Sequence, residues 1–272
     1  MTTGSRSITA FLDGPDSADI TNPIHSTAVA AEYGFRAALV GGVTVYGWTV
    51  PAILDALGEA WLERGWVDVN FRQPVYPGDE MTATIAPGTD FGHTLEMTNG
   101  AGVKCLSGEV GMDAAPWLAE LALPERRTPE PRPPELPYLT MEVAPVGHDL
   151  RPMAITLSQD DATAYAVEKQ RDGSERWTGK NARVHPGWIA AQMTPLLHHS
   201  YDYAPAIHTR SQIQHLRAVA PGQTLTFAGR FADAFERKSH HYAVIDGVML
   251  GENGDELAQL RHTTIFRVAK RP

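Results

Sequence analysis

The sequence predicts a tandem α+β protein, two copies of one unit in a single chain, each unit a central helix wrapped by a long antiparallel sheet. Three observations predict it. The 272-residue chain matches itself at a constant offset of 144 residues. A proline-rich piece separates the two copies, and within each copy a helical period changes to an alternating one in the same order.

The offset lays Pro77-Gly78 on Pro221-Gly222, Val69 on Ile213, Val75 on Val219, Met81 on Leu225 and Thr82 on Thr226 without a gap. Upstream it lays Val40-Gly41-Gly42 on Val184-His185-Pro186, and Asp16-Ser17-Ala18 on Asp160-Asp161-Ala162. In the first copy Val50, Ile53, Leu54, Leu57 and Trp61 recur on one helical face, so a helix is expected over 43–64, kinked or split at Pro51 and stopped at Gly65. Val67, Val69 and Phe71 then alternate with Asp68, Asn70 and Arg72, and Pro77-Gly78 marks a turn. Strands are expected at 81–86, 94–97 and 103–112. The second copy repeats the order, with a helix over 186–198 and strands near 207–219, 224–232, 241–250 and 256–268. Between them, Asp113 to Pro152 holds nine of the 20 prolines, which resist helix and sheet interiors. The expected organisation is a domain at 1–112, an extended linker at 113–150 and a second domain at 151–272.

Composition removes several function classes. Acidic residues outnumber basic ones 32 to 23, the net charge is −9, and no Lys/Arg cluster could track a phosphate backbone, so nucleic acid is not expected as a partner. One cysteine, Cys105, allows no intrachain disulfide, and no leader pattern opens the chain, which makes a cytoplasmic location the expectation. Residues 37–54 carry no charge over 18 positions, but Gly41, Gly42, Thr44, Gly47, Thr49 and Pro51 interrupt them, and Asp55, Glu59 and Glu63 continue amphipathically. That is a buried helix with a wet end rather than a membrane span. The pairs His198-His199 and His240-His241 point apart on a helix or strand, and no paired metal-ligand spacing occurs, so no metal is expected. A nucleophile elbow and a phosphate-cradling loop are also missing.

The chemistry-bearing stretch is Asp19-Ile20-Thr21-Asn22-Pro23-Ile24-His25, followed by Tyr33-Gly34-Phe35 and by Gly41-Gly42 at the start of the central helix. A carboxylate, an amide and an imidazole can converge on one water if the Pro23 turn folds them together. The glycines leave backbone N–H groups bare for a developing oxyanion.

On these residues, with Tyr46-Gly47 and Phe71-Arg72-Gln73-Pro74-Val75-Tyr76-Pro77-Gly78-Asp79, the chain resembles the MaoC-like, R-specific enoyl-CoA hydratase/dehydratase family of hot-dog proteins over residues 19–85. The resemblance implies a tandem double hot-dog fold and reversible hydration of a 2-enoyl thioester. His25 matches the catalytic histidine, Asn22 the motif asparagine and Gly42 the amide that polarises the thioester carbonyl. The family's aspartate falls five residues before its histidine, where this chain has Ile20. Asp19 sits one position earlier, and a one-residue bulge would bring it in. The family commonly has His-Gly where this chain has Gly41-Gly42. The second copy carries Ala166-Val167-Glu168-Lys169 in place of the motif.

Gly41, Tyr46, Arg36, Arg72, Trp48 and His185 complete the expected substrate site. Arg36 and Arg72, with Lys180 and Arg183, are the cations that would meet the phosphates of coenzyme A or a carrier protein. Trp48 and Trp188 would border a ligand tunnel, and His185 is a pocket residue or a helix-start packing residue. Asp19 is a proton carrier or a cap for a short helix near 28–33. No cofactor beyond the thioester carrier is implied. The expected partners are a small acyl thioester, an acyl carrier protein and a second copy in a homodimer. The alternatives are a hot-dog thioesterase and a non-catalytic acyl-thioester or lipid-binding relative.

Overall fold

A computed structural model describes residues 3–17, 21–88 and 92–270. The first half runs β1 (Gly4–Thr9), α1 (Thr27–Glu32), α2 (Gly42–Gly47), α3 (Val50–Leu57), α4 (Trp61–Arg64), β2 (Gly65–Phe71), β3 (Glu80–Pro87), β4 (His93–Asn99) and β5 (Lys104–Met112). The second runs β6 (Met153–Leu157), α5 (Gln159–Ala164), α6 (Glu175–Thr178), α7 (Pro186–Ala191), α8 (Met193–His198), β7 (Ile207–His215), β8 (Gln223–Arg237), β9 (His240–Leu250) and β10 (Glu256–Arg267). The expected first helix is thus three short pieces: α3 begins around Pro51, and Gly58, at φ 79°, ends it. The second helix divides at Gln192, ahead of Pro195.

All ten strands form one sheet in the order β1-β3-β4-β5-β2-β7-β10-β9-β8-β6. The order reads the same from either end once each strand is replaced by its counterpart, so an internal dyad passes between β2 and β7. The pairing register locates it: Asp68 lies opposite Gln212, its own counterpart at the 144-residue offset. Gln212 donates to the Asp68 carboxylate at 3.0 Å, and Arg210 grips both its oxygens at 2.9 and 2.6 Å. The offset recurs in detail elsewhere. Gly78 and Gly222 share φ 86°, and the Val40 amide donates to Val75 O as the Val184 amide donates to Val219 O.

The period-two pattern explains which face packs. Met81, Ala83 and Ile85 of β3 turn inward with Leu95 and Met97 of β4, and all are buried against Ile53 and Leu54 of α3 in one core that continues into Leu196, Phe227 and Ile245 of the second half. The proline-rich segment holds a 3-10 turn at Leu118–Glu120, further turns at 141–143 and 146–147, and isolated bridges at Tyr138 and Asp149. Trp117 and Ala115 bury against Trp66, and the Ala122 amide donates to Asp246 at 2.7 Å. Among the described residues no helix is long and apolar enough to cross a membrane, and no three metal-ligating side chains cluster.

His185, His215 and His262 lie in this interior, and His208 borders it. Burial lowers the pKa of His185 to about 3 and those of His208 and His215 to about 4, and it holds His262 well below its usual value. The unfolded chain titrates near pH 6.5, so between about pH 6.5 and 4 it binds protons the folded chain refuses. Stability is therefore full above that window and is lost as pH falls through it. Thermal unfolding followed by circular dichroism should give a midpoint flat above about pH 7 and dropping below about pH 6. His215→Phe, which keeps a ring against Trp61, should flatten part of that drop.

Candidate active site

Pro23 opens a 3-10 turn, Pro23–His25, that sets Asn22 and His25 on one side. The His25 Nδ1 lies 2.6 Å from Leu39 O. A carbonyl can only accept, so Nδ1 carries the proton and Nε2 is the basic nitrogen. The Asn22 amide nitrogen stands 3.3 Å from that Nε2 and donates to Ala206 O at 2.8 Å, while its carbonyl accepts from the Ala206 amide at 3.0 Å. One side chain therefore orients the imidazole and fastens the motif loop to the second half. Asn22→Ala should cost about 1–2 kcal/mol from the unpaired Ala206 peptide, read as a lowered urea midpoint.

The turn opens onto a cavity of about 400 Å³. First-half residues supply His25, Asn22, Gly41, Gly42, Phe71 and Arg72, and the second half supplies Ala191, Thr194, Pro195, His198 and His208. Gly41 borders His25 closely enough that a Cβ there would meet the ring at 3.8 Å. At Gly42 a Cβ would come within 3.2 Å of the His208 Cβ and 3.4 Å of the Phe71 ring, so any side chain there would need these neighbours to shift by a few tenths of an ångström. Gly42 and Val43 open α2, and their amides donate to no acceptor among the described residues. Phe71 stacks on His208 with ring centroids 4.7 Å apart. The His208 Nε2 is held by Arg210 O and Ser211 Oγ.

Asp19 and Ile20 lie outside the described residues. At the start of α1 the Asp16 carboxylate accepts from the Thr27 amide at 2.7 Å and its hydroxyl at 2.6 Å, which lowers the Asp16 pKa. His25, Asn22, Gly41, Gly42 and Arg72 are brought together at the cavity, where Arg72 is exposed and bonds Ser107 Oγ at 2.8 Å. Arg36 instead pairs with Asp79 and lies over Tyr76 in an adjoining depression, joined to the cavity by Gln73 and Pro74.

Three expected ligand residues are elsewhere. Tyr46 is buried in the main core with its hydroxyl unpartnered, burial raises its pKa, and it does not line the cavity. Trp48 packs on Phe11, 5.2 Å between rings. His185 is a helix-start packing residue whose Nδ1 accepts from the Gly187 amide at 3.1 Å. Lys180 is exposed away from the cavity, Arg183 lines a depression with Glu59 and Glu63, and Trp188 packs on Phe227. The cleft equivalent to the cavity in the second half is filled. Trp177 and Tyr165 close on His185 at 4.7 and 5.9 Å, and Lys169, the counterpart of His25, reaches the Asp13 carbonyl. Sequence reasoning missed His198 and His208 because only folding brings them to the motif.

No protein-family profile and no curated protein matches the chain. Solved structures do. A protein of Chloroflexus aurantiacus described as a MaoC-domain dehydratase superposes with TM-score 0.57 at 14% identity, covering 89% of this chain and 86% of its own. A conserved Mycobacterium tuberculosis protein described as having a double hotdog fold gives 0.60 at 13%, covering 87% and 84%. A Lactobacillus plantarum protein described as an oleoyl thioesterase gives 0.51 at 9%, covering 100% and 97%. The chain has the double hot-dog fold, and MaoC-like dehydratases are among its structural neighbours.

Proposed function

We propose that the protein catalyses reversible hydration of a 2-enoyl thioester. The observation that carries this reading is the imidazole of His25, whose Nδ1 is hydrogen-bonded to Leu39 O so that Nε2 is the nitrogen left to act, in a largely apolar cavity beside the bare amides that open α2. Such a ring can take a proton from water, and the amides can accept charge on the thioester oxygen.

In the hydration direction, His25 and Asp19 share one water. Its oxygen bonds to the β-carbon of the alkene as a proton leaves it, the electron pair moves through the α-carbon onto the thioester oxygen, and the Gly42 amide holds the enolate. A proton then returns to the α-carbon on the same face. Asn22 fixes the His25 ring. The Asp19 assignment rests on the sequence motif. Coenzyme A or a carrier protein supplies the thioester, and the exposed Arg72 guanidinium stands at the cavity edge to meet its polar arm.

The test is mass spectrometry of crotonyl-CoA and longer enoyl-CoAs after incubation with the protein. The expected product is heavier by one water with the thioester intact. Free thiol would assign the site to hydrolysis instead, and recovery of unaltered substrate across the series would leave a binding module.

A further inference from the structure

The internal dyad supplies a control for the cavity wall. Ala191 at the end of α7 and Thr194, Pro195 and His198 of α8 line the cavity, and at the 144-residue offset they correspond to Gly47, Val50, Pro51 and Leu54. The prolines coincide, so the two helices superpose in register. In the first half Val50 and Leu54 are 0% and 5% exposed within the core. The fold accepts apolar side chains at both positions. Where this same face borders the cavity, they are a hydroxyl and an imidazole.

Neither polar group is used up by the protein. The Thr209 and Thr264 hydroxyls in the cavity donate to Thr263 O at 3.0 Å and Ile207 O at 3.2 Å. The Thr194 hydroxyl has no such bond among the described residues. His198 lies flat on Tyr203, centroids 3.9 Å apart and 5° from parallel, so its ring is fixed in direction. Burial lowers its pKa, the Asp202 charge opposes this, and the Tyr201 backbone is its hydrogen-bonding neighbour. A neutral imidazole carries one acceptor nitrogen.

We propose that Thr194 and His198 form a specificity site for a second hydroxyl, one carried on the acyl chain beyond the reacting β-carbon, so that the preferred substrate is hydroxylated there rather than plain alkyl. The direction of the ligand rests on the thioester reading. The cavity and the depression of Arg36 and Tyr76 share Gln73 and Pro74 in their linings on the first half, opposite α8, so the charged arm is assigned to that side and the acyl chain to α8. A purely apolar pocket discriminates weakly against an added hydroxyl, whereas a site with unpaired hydrogen-bonding groups rejects the chain that lacks one.

The experiment is calorimetric binding to the full chain of octanoyl-CoA and of hydroxyoctanoyl-CoAs with the hydroxyl beyond the β-carbon, none of which is a product of the proposed hydration, so that no turnover is involved. At least one isomer should bind about tenfold tighter or more than octanoyl-CoA. Thr194→Val/His198→Leu, which installs the residues the first copy already holds, should remove that preference. Equal affinity for all isomers, or a preference kept by the double variant, overturns the proposal. If the double variant fails to fold, Thr194→Val alone and the wild-type affinity ratio still decide it. Hydration of the matching enoyl-CoAs is measured in parallel. Selective binding without turnover would sink the hydratase reading and keep this one, and unselective turnover would do the reverse.

Discussion

His25→Ala is expected to lower the hydration rate constant about 10³-fold, with the protein still folded. The magnitude follows from the role: a positioned base is worth two to four orders of magnitude, and no other group shares the His25 position between Leu39 O and Asn22. Folding should be barely affected, because the ring is half-buried and the change removes one net hydrogen bond, about 1 kcal/mol. His25→Asn separates the two effects, since its amide can still donate to Leu39 O but offers no basic nitrogen. Progress curves on crotonyl-CoA, with kcat and KM separated, are the measurement. A kcat within tenfold of wild type in His25→Ala would remove the imidazole from the chemistry. Asp19→Asn should also lower kcat with little change in KM.

The largest expected effect on stability is at Arg261. Asp246 is wholly buried on β9 and takes the Arg261 guanidinium at 2.6 and 2.8 Å, with the Ala122 amide of the linker at 2.7 Å. The same guanidinium donates to Glu120 O at 2.9 Å. Arg261→Ala leaves the carboxylate buried with one backbone donor, a loss of about 3–5 kcal/mol. Urea unfolding should show it, and limited proteolysis should cut first in the linker near residue 120. Replacing both partners, Asp246→Leu/Arg261→Met, should cost less than the single change, because the penalty comes mainly from the stranded charge.

Where pattern alone decides structure, the sequence was readable. Alternation at Val67, Val69 and Phe71 marks β2, and the offset of 144 marks two copies of one unit, which the Asp68–Gln212 pairing joins. The two edge strands were not readable. β1 has Ile8 as its one large apolar residue, and β6 follows directly on the proline-rich linker; both are set by pairing with β3 and β8. At the site, local sequence revealed the Pro23 turn and the Gly41-Gly42 helix start, because prolines and glycines act on their own backbone. It could not reveal that Tyr46 turns inward or that His198 and His208 arrive from the other half, since those facts belong to how α2, α8 and β7 pack. Nor could it show that Asp16, three residues before Asp19, would be the side chain tied to Thr27.

Because Asp68 faces its own counterpart across the dyad, the molecule is a symmetric pair written as a single polypeptide. In a pair of separate subunits, dilution would pull the wall carrying Thr194 and His198 away from the imidazole it encloses. Tethering makes their meeting independent of concentration. It also lifts the demand that both copies remain alike, so one could fill its cleft with Trp177 and Tyr165 while the other kept its opening.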